Sequence, residues 1–145
     1  MQHFPHHYAV TATAAGSANV SLGSQGLKPI ESAPPAEFGG PGDVWSPETL
    51  LAAAVADCFV LSFRAIATAS KFEWNSLTCN VDAVLDRVDG VTRFTEIHEQ
   101  VVLDVPAGTS EVKASKLLEK AEQVCLITNS LTAATSLETE IRVSE

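Results

Sequence analysis

The chain contains little of what marks nucleic-acid-binding, secreted or membrane proteins. Nine of its 145 residues are Lys or Arg, against 18 Asp or Glu. The resulting net charge of −9 disfavours nucleic acid and anionic membranes as partners, because both attract basic surfaces. Three cysteines do not make the even-numbered disulfide framework of a small secreted domain. Since no signal-peptide pattern opens the chain either, we expect a cytoplasmic protein.

The sequence also lacks the common motifs of metal, phosphate and serine-hydrolase sites. Its cysteines, Cys58, Cys79 and Cys125, are 21 and 46 residues apart, without a C-x-x-C pair. No lysine follows the glycines before Ser46 as it would in a phosphate-binding loop, and no G-x-S-x-G is present. We therefore expect neither a metal ion nor a bound cofactor.

The longest apolar stretch is expected to form a core helix. Residues 50–63 are interrupted by Asp57 and are too few to span a bilayer. Directly before them, Ser46 suits an N-cap, Pro47 the first helical position and Glu48 the positive end of the helix dipole. We predict a helix from Pro47 to about Ser70. Because its apolar residues lie on nearly all of its faces, we expect it to be buried on most sides.

The remaining pattern predicts one α+β domain over residues 1–145. A short hairpin is expected around Gly16, followed by a long loop over 23–46 that has room for a short strand near Lys28–Glu31. Two alternating segments, 77–85 and 97–105, flank an Asp89-Gly90 turn, and Glu99 breaks the second pattern. A helix over about 110–124, a short helical piece over 126–134 and a strand over 137–143 complete the order. The inward stripe expected for the longer helix is Leu117, Leu118, Ala121, Val124 and Cys125.

Two cysteines are candidates for chemistry, but each also has a packing interpretation. Cys58 lies midway along the apolar helix, and Cys125 ends the stripe of the next long helix. Free cysteine is among the most frequently buried residue types, so both are also plausible core residues. Cys79 alternates in phase with Leu77 and Val81, and we interpret it as structural.

Two segments resemble the OsmC/Ohr family. The run S-P-E-T-L-L-A-A-A-V-A-D-C-F, residues 46–59, is similar to the family signature in which a Pro-Glu pair opens the central helix and a peroxidatic Cys follows ten residues after the Glu. The run C-L-I-T-N-S-L, residues 125–131, is similar to the segment around the family's resolving Cys. The separation of 67 residues between Cys58 and Cys125 also resembles the family spacing.

This resemblance implies the fold and the activity. It implies an OsmC-like α+β fold in which a long buried central helix packs on antiparallel sheet, in an intertwined homodimer. It implies a thiol-dependent peroxidase for organic hydroperoxides, with Cys58, Cys125 and Glu48 as catalytic residues. Cys58 would become a sulfenic acid and then form a disulfide with Cys125. An external dithiol, such as a lipoyl-type one, would reduce that disulfide.

The chain departs from the family pattern at the cation. Family members use an Arg, and the first Arg here is Arg64, about 240° around the helix from Cys58. A buried thiolate needs a stabilising group, so Lys28 or the partner's Arg64 would have to serve. Glu48 lies about 15 Å along the helix from Cys58. It would therefore act on the partner's site or through a folded-back loop, or it simply stabilises the helix start.

The absent Arg leaves two alternatives to the peroxidase. One is a redox sensor in which the Cys58–Cys125 disulfide forms but turnover is slow. The other is a binding protein that holds a lipophilic small molecule in an apolar pocket. Thiol counting after one equivalent of peroxide separates the two, because a sensor loses two thiols and a binding protein loses none.

Overall fold

A computed structural model describes all residues, 1–145, as two compact units, Met1–Leu50 and Leu51–Glu145. The first unit carries an antiparallel sheet of three short strands in the order β1 (Thr11–Thr13), β2 (Val20–Gly23) and β3 (Ile30–Ser32). The predicted hairpin is confirmed, with Gly16 at a φ of 59° in its turn. The predicted long loop over 23–46 contains β3, which overlaps the short strand expected near Lys28–Glu31, and one 3₁₀ turn, Ala36–Phe38. Whether the two units make one domain stays a prediction.

The long helix α1 spans Pro47–Ala69, as the sequence predicted. The Ser46 side chain accepts a hydrogen bond from the backbone N–H of Thr49 at 3.1 Å, so it caps the first turn. Pro47 occupies the first helical position, where its missing N–H costs nothing. The helix begins at the end of the first unit and continues through the second.

The second unit is built on a sheet of three long strands, β4 (Ser76–Val88), β5 (Val91–Val105) and β6 (Ala134–Val143). Strands β4 and β5 form the predicted hairpin, whose turn places Asp89 and Gly90 at φ values of 51° and 79°. Strand β6 pairs with β5 in parallel, so the chain between them must cross over. Helices α2 (Glu111–Val124) and α3 (Leu126–Asn129) make this crossover. The mixed architecture confirms the predicted α+β class.

The core of the second unit lies between the sheet and the helices. Alternate residues of β5 face inward and are fully buried, as expected for a central strand. Helix α1, strand β5 and helix α2 contribute the buried apolar residues of this core, which are Phe59, Phe63, Ala67, Val101, Leu103, Val105, Ala114, Leu118 and Ala121. Phe63 also packs edge-on against Trp74, with ring centroids 5.4 Å apart.

Helix α1 is less covered than the sequence predicted. Its buried residues form a single stripe at four-residue spacing, Val55, Phe59, Phe63 and Ala67. Leu61, on another face, is 48% exposed. The prediction of burial on most sides is therefore wrong for the single chain, because its own sheet and helices cover one face of α1.

Helix α1 is longer than the apolar stretch from which the sequence analysis excluded a membrane span. The helix has 23 residues, with a mean hydropathy of 1.9 over 18 of them, which is long and apolar enough to cross a bilayer. Core helices of proteins have the same character, and Phe59 and Phe63 of α1 are buried in the core of the second unit.

One residue of the predicted α2 stripe is misplaced. Leu118, Ala121 and Cys125 are fully buried, whereas Val124 is 44% exposed. Helix α2 ends at Val124, and Cys125 adopts an extended conformation with φ −62° and ψ 107°. The chain changes direction there, so helical spacing no longer determines which side faces the core.

Candidate active site

The structure brings Cys58 of α1 against Cys125, with both thiols free. Cys58 lies in the fourth turn of α1 and is partly exposed, whereas Cys125 is completely buried. Cys125 directly follows the last residue of α2 and directly precedes the first residue of α3. The crossover between β5 and β6 thus places a thiol 67 residues away in sequence beside Cys58.

The Cys58 sulfur is surrounded by hydrogen-bond donors. Burial by itself raises the pKa of Cys58, but the hydrogen bonds outweigh burial and hold that pKa below its usual value. In order of effect, the donors are the Ile127 backbone N–H, the Cys125 thiol, the Ser62 hydroxyl and the Leu126 backbone N–H. The Ser62 oxygen lies 3.9 Å from the sulfur, one helical turn after Cys58. This environment favours the thiolate, which is the reactive form of cysteine.

The two backbone donors are available because α3 starts at Leu126. The first N–H groups of a helix have no partner within that helix. The extended backbone of Cys125 directs the N–H groups of Leu126 and Ile127 toward the Cys58 sulfur. Sequence reasoning did not find these donors, since every residue except proline carries the same backbone N–H.

Cys125 is held in the opposite ionisation state. Burial raises the pKa of Cys125, and the negative charge of Cys58 raises it further. Hydrogen bonds from the Thr128 hydroxyl and backbone N–H work against this rise without cancelling it. Cys125 therefore keeps its proton beside the Cys58 sulfur.

No guanidinium or ammonium group is among the donors to Cys58. Arg64, which follows six residues later on α1, is exposed. Backbone N–H groups and neutral side chains thus stabilise the thiolate where the sequence had suggested a need for a cation. Glu48 lies in the first turn of α1, and its Oε2 is buried without a hydrogen-bond partner. Its predicted catalytic role stays a prediction.

Cys79 and Glu99 lie on the inward face of the sheet beside Cys125. Burial, then the charges of Glu99 and Cys125, raise the pKa of Cys79 to about 12. At neutral pH Cys79 is therefore a thiol with negligible nucleophilicity, which agrees with its interpretation as a structural residue.

Removing the Ile127 N–H is expected to raise the pKa of Cys58. An Ile127→Pro variant keeps the first turn of α3, where proline is tolerated, but loses the donor. A hydrogen bond to a charged group is worth about 1.5 kcal/mol or more, so the thiolate fraction below the Cys58 pKa should fall by about tenfold. The rate of iodoacetamide alkylation of Cys58 against pH measures this change. Ile127→Ala keeps the N–H, so its alkylation rate should depend on pH as in the wild type. Equal curves for all three proteins would show that the Ile127 N–H does not stabilise the Cys58 thiolate.

Comparison with known proteins places the chain in a family. A family model described as OsmC-like protein matches residues 40–140. The chain is also similar to the uncharacterised protein YmaD of Bacillus subtilis, at 28% identity over 142 residues that cover 95% of each protein.

Solved structures show the same fold. An OsmC-like protein of unknown function from Vibrio cholerae superposes with a TM-score of 0.83 at 20% identity, over 94% of this chain and 99% of that one. An organic hydroperoxide resistance protein from Elizabethkingia anophelis has a TM-score of 0.77 at 23% identity, over 99% and 100% of the chains. An organic hydroperoxide resistance protein, OsmC, from Legionella pneumophila has a TM-score of 0.74 at 23% identity, over 95% and 98%. The predicted OsmC-like fold is therefore confirmed, and the chain belongs to the OsmC-like family.

Proposed function

We propose that this protein is a thiol-dependent peroxidase that reduces organic hydroperoxides, with Cys58 as the nucleophile and Cys125 as the resolving thiol. The observation that carries the proposal is the contact between a thiol whose hydrogen bonds favour the thiolate and a second thiol that remains protonated. Two structural neighbours are named organic hydroperoxide resistance proteins, which supports the substrate class.

The first step consumes the peroxide. The Cys58 thiolate attacks the terminal peroxide oxygen, the O–O bond breaks, and the alcohol leaves after taking up a proton. Cys58 becomes a sulfenic acid. The partly exposed position of Cys58 on an apolar helix suits a peroxide with a hydrocarbon group.

The second step follows from the loss of charge on Cys58. While Cys58 is a thiolate, its charge helps to keep Cys125 protonated. Oxidation to the neutral sulfenic acid removes that charge, so the pKa of Cys125 falls at the moment when its thiolate is needed. The Cys125 sulfur then bonds to the Cys58 sulfur, and the sulfenic hydroxyl leaves with the Cys125 proton as water.

An external dithiol completes the cycle. It attacks the Cys58–Cys125 disulfide, passes through a mixed disulfide and leaves as its own cyclic disulfide, so that both cysteines return to thiols. A lipoyl-type dithiol fits this role. A cycle of this kind requires no metal or bound cofactor, and a reducing cytoplasm is the compartment that would supply the dithiol.

A homodimer would cover the faces of α1 that the single chain leaves exposed. Leu61 is 48% exposed on a helix that is otherwise strongly apolar, which supports a second copy of the chain as the occupant. In that assembly Glu48, with its buried and unpartnered Oε2, would serve the partner's site. Analytical ultracentrifugation at micromolar concentration tests the proposed homodimer, and a stable monomer would contradict it.

Replacing Cys125 by serine is expected to limit the protein to one turnover. With excess cumene hydroperoxide and dihydrolipoamide, the wild type should consume peroxide continuously. Cys125→Ser lacks the resolving thiol, so it should consume about one equivalent quickly and then slow sharply, leaving a sulfenic acid that reacts with dimedone. Steady turnover by Cys125→Ser at the wild-type rate would show that Cys125 is not the resolving thiol.

A further inference from the structure

A buried carboxyl group without a partner lies near the cysteine pair. Glu99 is 1% exposed, and neither of its side-chain oxygens has a hydrogen-bond partner. It points inward from β5, between Val81 of β4 and Leu137 of β6 in the strand register. A buried carboxyl without a partner costs stability, so a functional reason for its presence is worth testing.

The groups around Glu99 that carry charge or titrate are all acidic. Helix α2 contributes Glu122, and strand β4 contributes the Cys79 thiol, which in turn neighbours Cys125. The β6 residue in register with Glu99 is the apolar Leu137. Burial, and then the charge of Glu122, raise the pKa of Glu99 to about 7. Its charge therefore changes within the physiological pH range.

Glu122 connects this carboxyl to the resolving thiol. It lies in the last turn of α2, where its backbone carbonyl accepts a hydrogen bond from the Cys125 N–H at 3.3 Å. Its side chain accepts a hydrogen bond of 3.1 Å from the Thr135 hydroxyl near the start of β6. A force on the Glu122 carboxylate thus acts on the same turn that carries Cys125.

We propose that Glu99 is a positioning residue for the resolving step. In its neutral form it lets the last turn of α2 rest on the sheet with Cys125 against Cys58. When it ionises, repulsion from Glu122 displaces that turn and slows the closing of the Cys58–Cys125 disulfide. This inference rests on the proposed function.

The physical reason is the strength of charge repulsion away from water. Two carboxylates in a partly buried site with no cation between them repel each other more strongly than on a wet surface. A disulfide closes only when the two Cα atoms lie about 4.4–6.8 Å apart, so a small displacement of Cys125 is enough to slow it. At alkaline pH the sulfenic acid on Cys58 should therefore last longer than thiol chemistry alone would predict.

The test is the rate of disulfide closure after one equivalent of cumene hydroperoxide, followed by stopped flow from pH 5.5 to 8.5. Thiol ionisation changes with pH in every variant, so the informative quantity is the ratio of the Glu99→Gln rate to the wild-type rate. We expect a ratio near one at pH 5.5 that rises to about fivefold above pH 7, which corresponds to about 1 kcal/mol of repulsion. Glu122→Gln, which removes the other charge, should show the same rise.

His98→Gln is the matched control. His98 is the neighbour of Glu99 on β5 and faces the exposed side, where its Nδ1 hydrogen-bonds with the Ser136 hydroxyl at 2.7 Å. This variant changes a side chain on the same strand without touching the buried cluster. Its closure profile should match that of the wild type.

A second readout does not depend on catalysis. In the reduced protein the buried Cys125 should become more open to N-ethylmaleimide above pH 7, relative to a model thiol, in the wild type but not in Glu99→Gln. If the disulfide forms and the Glu99→Gln ratio stays flat across pH, the positioning role is overturned while the proposed function stands. If no Cys58–Cys125 disulfide forms at any pH in the wild type, both are overturned.

Discussion

Replacing Cys58 by serine is expected to lower the rate of organic hydroperoxide reduction by about a thousandfold or more. The alcohol has the same shape but does not ionise near neutral pH, so it cannot attack the peroxide oxygen. The donors from Leu126, Ile127 and Ser62 would then surround a neutral hydroxyl and have no thiolate to stabilise. Peroxide loss with dihydrolipoamide as reductant, measured against the wild type, gives the ratio directly.

Cys79→Ser is the matched control for this experiment. It makes the same sulfur-to-oxygen change at a thiol that burial and neighbouring charges keep protonated. Its turnover should stay within about twofold of the wild type, since Cys79 makes no hydrogen bond to Cys58. Equal activity of Cys58→Ser and the wild type would exclude a thiol-dependent peroxidase and favour the alternative of a protein that binds a lipophilic small molecule. A large loss of turnover in Cys79→Ser would show that the assignment of the chemistry to Cys58 is wrong.

Glu99→Gln is expected to remove a large part of the pH dependence of folding stability. Burial and Glu122 raise the pKa of Glu99 from 4.5 to about 7 in the folded protein, so the folded state holds this proton more tightly than the unfolded chain. The folded state therefore loses stability as pH rises from about 4.5 to 7, and the loss is constant above that. At about 1.36 kcal/mol for each pH unit, the loss is about 3 kcal/mol. Urea unfolding at pH 5 and pH 8 measures the difference for each protein.

The expected result is a wild type that loses about 2.5 kcal/mol more than Glu99→Gln between those two pH values, because part of the loss has already occurred at pH 5. Glu138→Gln changes an exposed carboxylate on the neighbouring strand β6 and should behave like the wild type. If the wild type and Glu99→Gln lose the same stability, Glu99 is not a buried titrating group.

Local sequence signals predicted the elements of this fold well. Ser46-Pro47-Glu48 marked the start of α1, and Asp89-Gly90 marked the turn between β4 and β5, because capping and left-handed turn conformations depend on a few residue types. The alternation in residues 137–143 predicted a strand but not its parallel pairing with β5. Register and direction depend on the partner strand, which alternation does not identify.

The coverage of α1 could not be predicted in the same way. An apolar helix shows that something must cover it, but composition does not tell whether the same chain or another one does. The sequence suggested burial on most sides, whereas the single chain buries one stripe from Val55 to Ala67.

The candidate site was predicted in part. The contact between Cys58 and Cys125 was implied by the family resemblance, and no periodicity in the sequence would have indicated it. Glu99 carried a visible signal, because it placed an acid in the inward phase of a strand. The N–H groups of Leu126 and Ile127 carried none, since a backbone donor becomes visible only when the chain is folded.

The pairing of the two sulfurs is tested most directly by mapping the oxidised protein. One equivalent of cumene hydroperoxide is added, free thiols are alkylated, and the digested chain is analysed by mass spectrometry without reduction. We expect one disulfide within the chain, between Cys58 and Cys125, with Cys79 alkylated. A disulfide that includes Cys79, or three alkylated thiols and unconsumed peroxide, would contradict it.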